Sequence, residues 1–397
     1  MKAIINGNVI TETEILENTA VFIDEQFIVD ILPMDEAGAE LLEVGETIDA
    51  RGGFVAPGFI DIHSDYIEGI VAPRPTSLMD VNIGIRESER ILSSHGITTM
   101  FHSLSIYRED LFGHKPIREP ENVQKLIEAV ARTHGEKHLI RHRLHARFEL
   151  DALEQLPILK SHIEKGNVHL LSFMDHTPGQ GQYRNMAVYR ETMKSYQNMS
   201  DTEIEQKMLD KLDYEHISYD GMKELAALAH SKNIAVASHD DDYIERIDFN
   251  ERLGTTISEF PITIEVAKYA HDLGQHTIAG APNIMLGGSH SGNLNAAEAI
   301  SEGCISILCS DYYPAAMLHS VFKLHREYDH PLEEVIKLIT LNPAEAVNMD
   351  HEIGSIRMGK KADINVIQFN EGYPVVTECI VDGAVISRYH YRVDEEA

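Results

Sequence analysis

Apolar residues along this chain fall into two textures. Between residues 56 and 349, short apolar runs of strand length alternate with longer stretches whose apolar positions recur three and four apart. The short runs are Phe59–His63, Ile97–His102, Arg143–Leu150, Val168–Met174, Ile234–His239, Thr255–Phe260, Thr277–Ala281 and Ile305–Asp311. Helical patterns lie between most of them, at Gly84–His95, Pro120–Thr133, Gly221–Ser231, Pro261–Leu273, Leu294–Glu302 and Pro314–Tyr328. Strands separated by amphipathic helices read as a parallel α/β sheet. Roughly eight strands in about 250 residues is the size of a (β/α)8 TIM barrel. A doubly wound sheet would place a glycine-rich phosphate turn after its first strand, and none follows Phe59–His63.

The two ends have a different texture. Lys2–Ile5, Val9–Ile10, Ala20–Ile23, Phe27–Leu32 and Glu46–Ile48 read as short strands, with Asn6-Gly7 and Asp24-Glu25 as turns. Asp363–Gln368, Val375–Val381 and Ala384–Arg388 read the same way, with Asp382-Gly383 as a hairpin turn. The expected organisation is a small β-sandwich domain built from residues 1–55 plus 350–397, with the barrel, residues 56–349, inserted between its halves. Residues Gly179–Asp220 are long for a strand-to-helix connection, and Met199–Leu212 within them reads as an acidic amphipathic helix. A surface elaboration and a wall of the active-site pocket are both open readings.

Composition narrows the function. The 397 residues carry a formal net charge of −30, which argues against a nucleic-acid surface. It leaves room for a small phosphorylated substrate, held by a local arginine cluster or a metal. The three cysteines, Cys304, Cys309 and Cys379, form no CxxC pair and read as buried reduced thiols. No apolar run reaches membrane length, and Met1–Ile5 reads as a strand rather than a leader, so a cytoplasmic protein without membrane contact is expected. A homodimer is expected on base rates.

The candidate chemistry gathers at the C-terminal ends of the barrel strands, which meet at one mouth. His63 and Asp65 stand two apart on the first strand and so share a face. Glu149 ends the third, Asp175-His176 follows the fourth, His239-Asp240-Asp241-Asp242 the fifth, and Asp311 the last. An isolated Asp at such a place is more often a helix N-cap, and an isolated His a hydrogen-bonding residue. Together, however, these carboxylates and imidazoles would repel or go unsatisfied without a cation. The expected metal set is His63, Asp65, Glu149, His176, His239 and Asp311, holding one or two ions. The donor mix suits Zn2+, with Mn2+, Fe2+ or Ni2+ as alternatives. Asp311 is the expected general base toward a metal-activated water. Residues 280–293, Gly280 to Asn293, read as a donor-rich loop at the same mouth, with Asn283, Ser289, His290 and Asn293 as substrate contacts beside Asp240. Arg184 is the expected phosphate ligand, with Arg74, Arg108 and Arg147 as alternatives.

These motifs resemble the amidohydrolase superfamily. Val55–His63 is similar to its opening barrel strand, and Thr340-Leu341-Asn342-Pro343-Ala344 and Gly359-Lys360-Lys361-Ala362-Asp363-Ile364 to its return into the β-sandwich. His63–Glu68, Met174–Gln180, Ser238–Asp242 and Gly287–Asn293 more closely resemble its phosphonate-degradation branch. That resemblance implies a metal-dependent hydrolase releasing pyrophosphate from the 5-triphosphate of a ribosyl phosphonate. The alternative within the superfamily is cleavage of a C–N bond in a cyclic amide, an N-acyl group or a deamination substrate. Three departures from the wider pattern stand out: Asp65 replaces the second histidine of the opening motif, Met174-Asp175-His176 stands where many members carry a carbamylated lysine, and the sixth strand ends in Glu259 where a histidine is usual.

Overall fold

A computed structural model of the chain describes residues 1–74, 76–108, 116–181, 186–197, 200–288 and 293–392. The chain starts with β1 (Lys2–Ile10), β2 (Ile15–Asp24), β3 (Phe27–Pro33), β4 (Glu46–Asp49) and β5 (Phe54–Pro57). It then builds β6 (Phe59–Ser64), β7 (Ile97–Ile106), β8 (Arg141–Glu149), β9 (Leu170–Met174), β10 (Ala235–His239), β11 (Ile257–Glu259), β12 (His276–Gly280) and β13 (Ile307–Cys309). It ends with β14 (Ile364–Asn370), β15 (Tyr373–Val381) and β16 (Ala384–Arg388).

Strands β6 to β13 pair in chain order, all parallel, with helices in the connections. A parallel bridge between Ser64 and Asp311 brings the last strand back to the first. This is the expected (β/α)8 barrel. The wall follows strand alternation. Leu144, Ala146 and Phe148 of β8 join Val123, Leu126, Ile127 and Val130 of the helix Pro120–Thr133 in one buried cluster. The alternate residues His145 and Arg147 therefore face the lumen.

The second sheet is mixed and takes strands from both chain ends, in the order β16-β15-β14-β5-β1-β2-β3, with β4 paired to β1. Its join to the barrel runs through β5, which pairs antiparallel with β14 and leads through Gly58 into β6. Arg141, at the foot of β8, pairs with Asp363 and Asp382 of the C-terminal segment. Asp382 N–H in turn donates to Asp363 Oδ1 at 3.0 Å. Among the described residues no helix is long and apolar enough to cross a membrane.

Two local expectations are corrected. Asn6-Gly7 is not a turn: β1 runs through it, with Asn6 at φ 56° and the pairing to β2 shifting register between Ile4 and Val9. The pair makes a bulge rather than a hairpin. Glycine is needed there because a Cβ on Gly7 would lie 2.4 Å from Val55 Cγ2 of β5. Residues 280–293 are also not loop throughout. Ala281–Leu286 is helical, with a proline in its first turn and Gly287 closing it at φ 77°.

Gly58 joins the two sheets, between β5 and β6. Its N–H donates to Asp363 O at 2.7 Å. A Cβ there would stand 2.4 Å from Oγ1 and 2.5 Å from Cγ2 of the fully buried, β-branched Thr98. That side chain is stiff at χ1 and has nowhere to turn. Gly58→Ala is expected to cost about 1–3 kcal/mol by overpacking, read as a lower denaturation midpoint at unchanged slope in a urea titration.

Candidate functional site

The site is assembled where the barrel closes. Asp311 N–H donates to His63 O at 3.1 Å, and Asp65 N–H donates to Asp311 O at 2.9 Å. Behind them Asp61 Oδ1 accepts from His63 N–H at 3.3 Å and Ser310 N–H at 3.2 Å, joining the same two strands from within. These bonds place His63, Asp65 and Asp311 side by side although they are nearly 250 positions apart (311 − 63 = 248). Asp311 takes the left-handed conformation, φ 58°, at the point where the last strand turns out of the barrel.

His63 is buried and donates through Nδ1 to Glu259 Oε1 at 2.9 Å. That contact sets the tautomer and leaves Nε2 as the nitrogen to meet a cation. Burial, with Arg147 and His239 beside the ring, holds its pKa well below the ordinary histidine value. His145 lies beneath, its ring centroid 5.1 Å from that of His63, between Ser103 Oγ at 3.0 Å and Ser172 Oγ at 2.9 Å. Glu259 Oε2 stands 3.7 Å from His145 Nε2.

A second group stands beside the first. The ring centroid of His239 is 5.5 Å from His63 and 6.0 Å from His176. His239 Nδ1 lies 3.0 Å from Asp240 Oδ2, and His176 Nε2 is 3.9 Å from the same oxygen. His176 is oriented by Glu149, which accepts from its backbone N–H at 2.8 Å and from Nδ1 at 2.7 Å. Lys211 Nζ donates to Glu149 Oε1 at 3.3 Å. Burial works to raise the Glu149 carboxyl, but His176 and Lys211 outweigh it and draw it down to about 2. Burial likewise opposes the Asp240 carboxylate, and His239, His176 and Arg147 together lower it on balance.

Of the expected metal set, the structure brings His63, His176 and His239 into one row with Asp240, and seats Asp311 beside them. Asp65 reaches the mouth with its carboxylate 3.5 Å from Arg118 Nη2, and Arg118 also holds Glu68. Glu149 stands behind His176, both of its oxygens engaged by protein donors. Asn283 donates to Leu294 O at 2.9 Å and accepts from Ala296 N–H at 3.1 Å, so its side chain ties the helix Ala281–Leu286 to Leu294 and Ala296. Asn293 resumes the chain at the edge of that segment, half-buried. Ser289, His290 and Arg184 lie outside the described residues. Of the alternative arginines, Arg147 is the one inside the lumen, with Nη2 3.1 Å from His239 Nε2. Arg108 instead lies over the Tyr214 ring at 4.4 Å.

Sequence reasoning missed Lys211 and the inward role of Glu259, whereas alternation along Arg143–Leu150 already puts His145 on the inward face with Glu149. Glu259 had a signal, since it ends the sixth strand. Lys211 had none: it looks like one more charge on an acidic surface helix, yet it is 2% exposed. The helices Met186–Gln197 and Asp201–Leu212 pack on each other through Tyr189, Met193, Ile204 and Met208. Through Lys211 the long connection therefore forms a wall of the site.

The donors fit a divalent cation. His176, His239 and Asp240 offer ligand atoms within 4.8 Å of one another, as do His63, His145 and Glu259. Buried Asp61 Oδ2 and Glu259 Oε2 have no hydrogen-bond partner. The Asp311 carboxyl is pushed up to about 7, first by burial and then by the Asp65 charge beside it, even with Arg147 and His239 pulling the other way. Such crowding of negative charge is the electrostatic condition that a bound cation relieves.

Comparison with known proteins agrees with this geometry. The sequence model of the Amidohydrolase family matches residues 54–386. The α-D-ribose 1-methylphosphonate 5-triphosphate diphosphatase of Escherichia coli (strain K12) is 34% identical to the chain over 323 residues, which is 80% of this chain and 84% of that protein. Among solved structures, the L-hydantoinase of Arthrobacter aurescens matches with a TM-score of 0.64 at 14% identity, over 99% of this chain and 97% of its own. N-acetylglucosamine-6-phosphate deacetylase from Pasteurella multocida matches with a TM-score of 0.62 at 15% identity, over 96% and 98%. At those identities the two structures speak for the fold alone. The profile match across most of the chain and the histidine–carboxylate mouth lead to one conclusion: this chain belongs to the amidohydrolase family and is a hydrolytic enzyme.

Proposed function

We propose that the chain hydrolyses a phosphoanhydride bond of α-D-ribose 1-methylphosphonate 5-triphosphate, releasing pyrophosphate. The observation that carries this reading is the 34% identity, over 80% of the chain, to the Escherichia coli diphosphatase. The chemistry of the mouth supports it. His63, His176, His239, Asp65, Asp240 and Asp311 would hold a divalent cation, Zn2+ by donor type, with Glu149 acting through His176. When bound, that ion supplies a water of lowered pKa and positive charge for the phosphoryl oxygens. Asp311 accepts the proton of the attacking water, and its raised pKa suits a carboxylate that takes up a proton during the reaction. Arg147, in the lumen against His239, offers a guanidinium to the charge developing on the phosphoryl group. Glu149 and Lys211 fix the His176 ring so that Nε2 faces the site. The net charge of −30 repels a triphosphate at long range, so binding relies on these few local cations.

Three outcomes test the reading. Asp311→Asn is expected to lower kcat by about 10²–10⁴-fold while metal content by elemental analysis stays near that of the unaltered protein; a variant with the original rate removes Asp311 from the base role. Dialysis against a chelator is expected to abolish turnover, with Zn2+ restoring it. Incubation with the ribosyl phosphonate triphosphate is expected to release pyrophosphate. Inactivity there, with ammonia or carboxylate release from cyclic or N-acyl amides instead, would move the assignment to C–N bond cleavage.

A further inference from the structure

A second cluster of ligand-type side chains lies at the other end of β8. Glu89, on the helix Val81–Ser94, meets His138, just before β8, and His142, the second residue of β8. One ligand atom from each lies within 4.8 Å of the others. Glu149, at the mouth, closes the same strand, about 23 Å further along at roughly 3.3 Å per residue. The cluster therefore takes no part in the chemistry described above.

We propose that Glu89, His138 and His142 form a structural Zn2+ site that fastens the helix Val81–Ser94 and the segment before β8 to the barrel wall. The spacing fits. His138 Nδ1 lies 3.0 Å, and His142 Nε2 3.2 Å, from Glu89 Oε2. Tetrahedral zinc with bonds of about 2.0–2.1 Å separates its donors by roughly 3.3 Å; both histidine-to-Glu89 distances match that separation, and one ligand atom from each of the three residues lies within 4.8 Å of the others.

The outer contacts point to ligation independently. A zinc-bound histidine is held through its other ring nitrogen by a polar neighbour. Here His138 Nε2 lies 3.3 Å from Glu136 Oε2, itself 3.3 Å from Arg86 Nη2. His142 Nδ1 lies 2.9 Å from His102 Nε2. Leu139 N–H donates to Glu89 Oε2 at 2.9 Å and holds the carboxylate in place. Glu89 and His142 are 4% and 1% exposed. Zinc on His142 Nε2 requires the proton on Nδ1, donated to His102.

The test uses the full chain and Zn2+ alone. Crystals soaked in zinc chloride are expected to show an anomalous peak at the zinc edge within about 2.0–2.1 Å of His138 Nδ1 and His142 Nε2. In solution, His138→Gln is expected to retain one zinc equivalent fewer than the unaltered chain after dialysis at the same free zinc. A soaked crystal with no peak between these side chains, or a folded His138→Gln protein with unchanged zinc content, overturns the site and leaves a hydrogen-bonded ion pair in its place. Should His138→Gln fail to fold, the anomalous map decides alone. Neither result bears on the ligands at the mouth.

Discussion

The hydrogen bonds that close the barrel between its first and last strands are the constraint on which the site depends. Backbone bonds from Asp311 to His63 and from Asp65 to Asp311, backed by the Asp61 carboxylate across the same seam, bring an imidazole and two further carboxylates together. Nothing local in either segment would bring them together. A barrel that opened at this seam would keep most of its hydrophobic wall and lose the site, because the remaining imidazoles, His176 and His239, come from the opposite side of the mouth.

Electrostatics then decides what the site can hold. The protein is strongly acidic as a whole, and its mouth concentrates buried carboxylates against imidazoles, of which His63 is held by burial well below the ordinary histidine pKa. The response of each acid depends on its neighbours. Glu149, flanked by His176 and Lys211, is held ionised, whereas Asp311, next to Asp65, is pushed toward protonation. Carboxyl groups of one type thus carry two kinds of work: one fixes a ring, the other is poised to exchange a proton. The cations in reach among the described residues, Arg147 in the lumen, Lys211 in the wall and Arg118 beside Asp65, are each already engaged with a site residue.

The mixed sheet from the two chain ends supports the mouth from a distance. Pairing of β5 with β14 and the Arg141 pairs with Asp363 and Asp382 tie the start of β6 and the foot of β8 to one body. The strands that supply His63 and Glu149 are therefore anchored at their far ends. Cluster residues Glu89, His138 and His142 lie at the same foot of β8, where the helix Val81–Ser94 meets the wall.

Much of the architecture could be read from the chain because its signals are local. Every barrel strand lies close to an apolar run, and helices such as Pro120–Thr133 follow their amphipathic spacing. The terminal strands were visible for the same reason. Where the reading failed, a residue's use depended on a partner distant in sequence. Asn6-Gly7 has turn chemistry, but close approach to Val55 makes it a bulge. Residues 280–293 read as a donor-rich loop, yet at 281–286 a proline start and a glycine stop suffice for a short helix. His63, His176, His239 and Asp311 could be chosen as strand-end residues from sequence. Which nitrogen of each ring faces the site, and that Glu149 acts on His176, were decided by contacts such as that from Lys211. Periodicity along the chain thus determined the elements and their order, because burial patterns are set by near neighbours. Tertiary structure alone decided the charge state and aim of each side chain at the mouth, because these depend on distances between strands that only closure of the barrel sets.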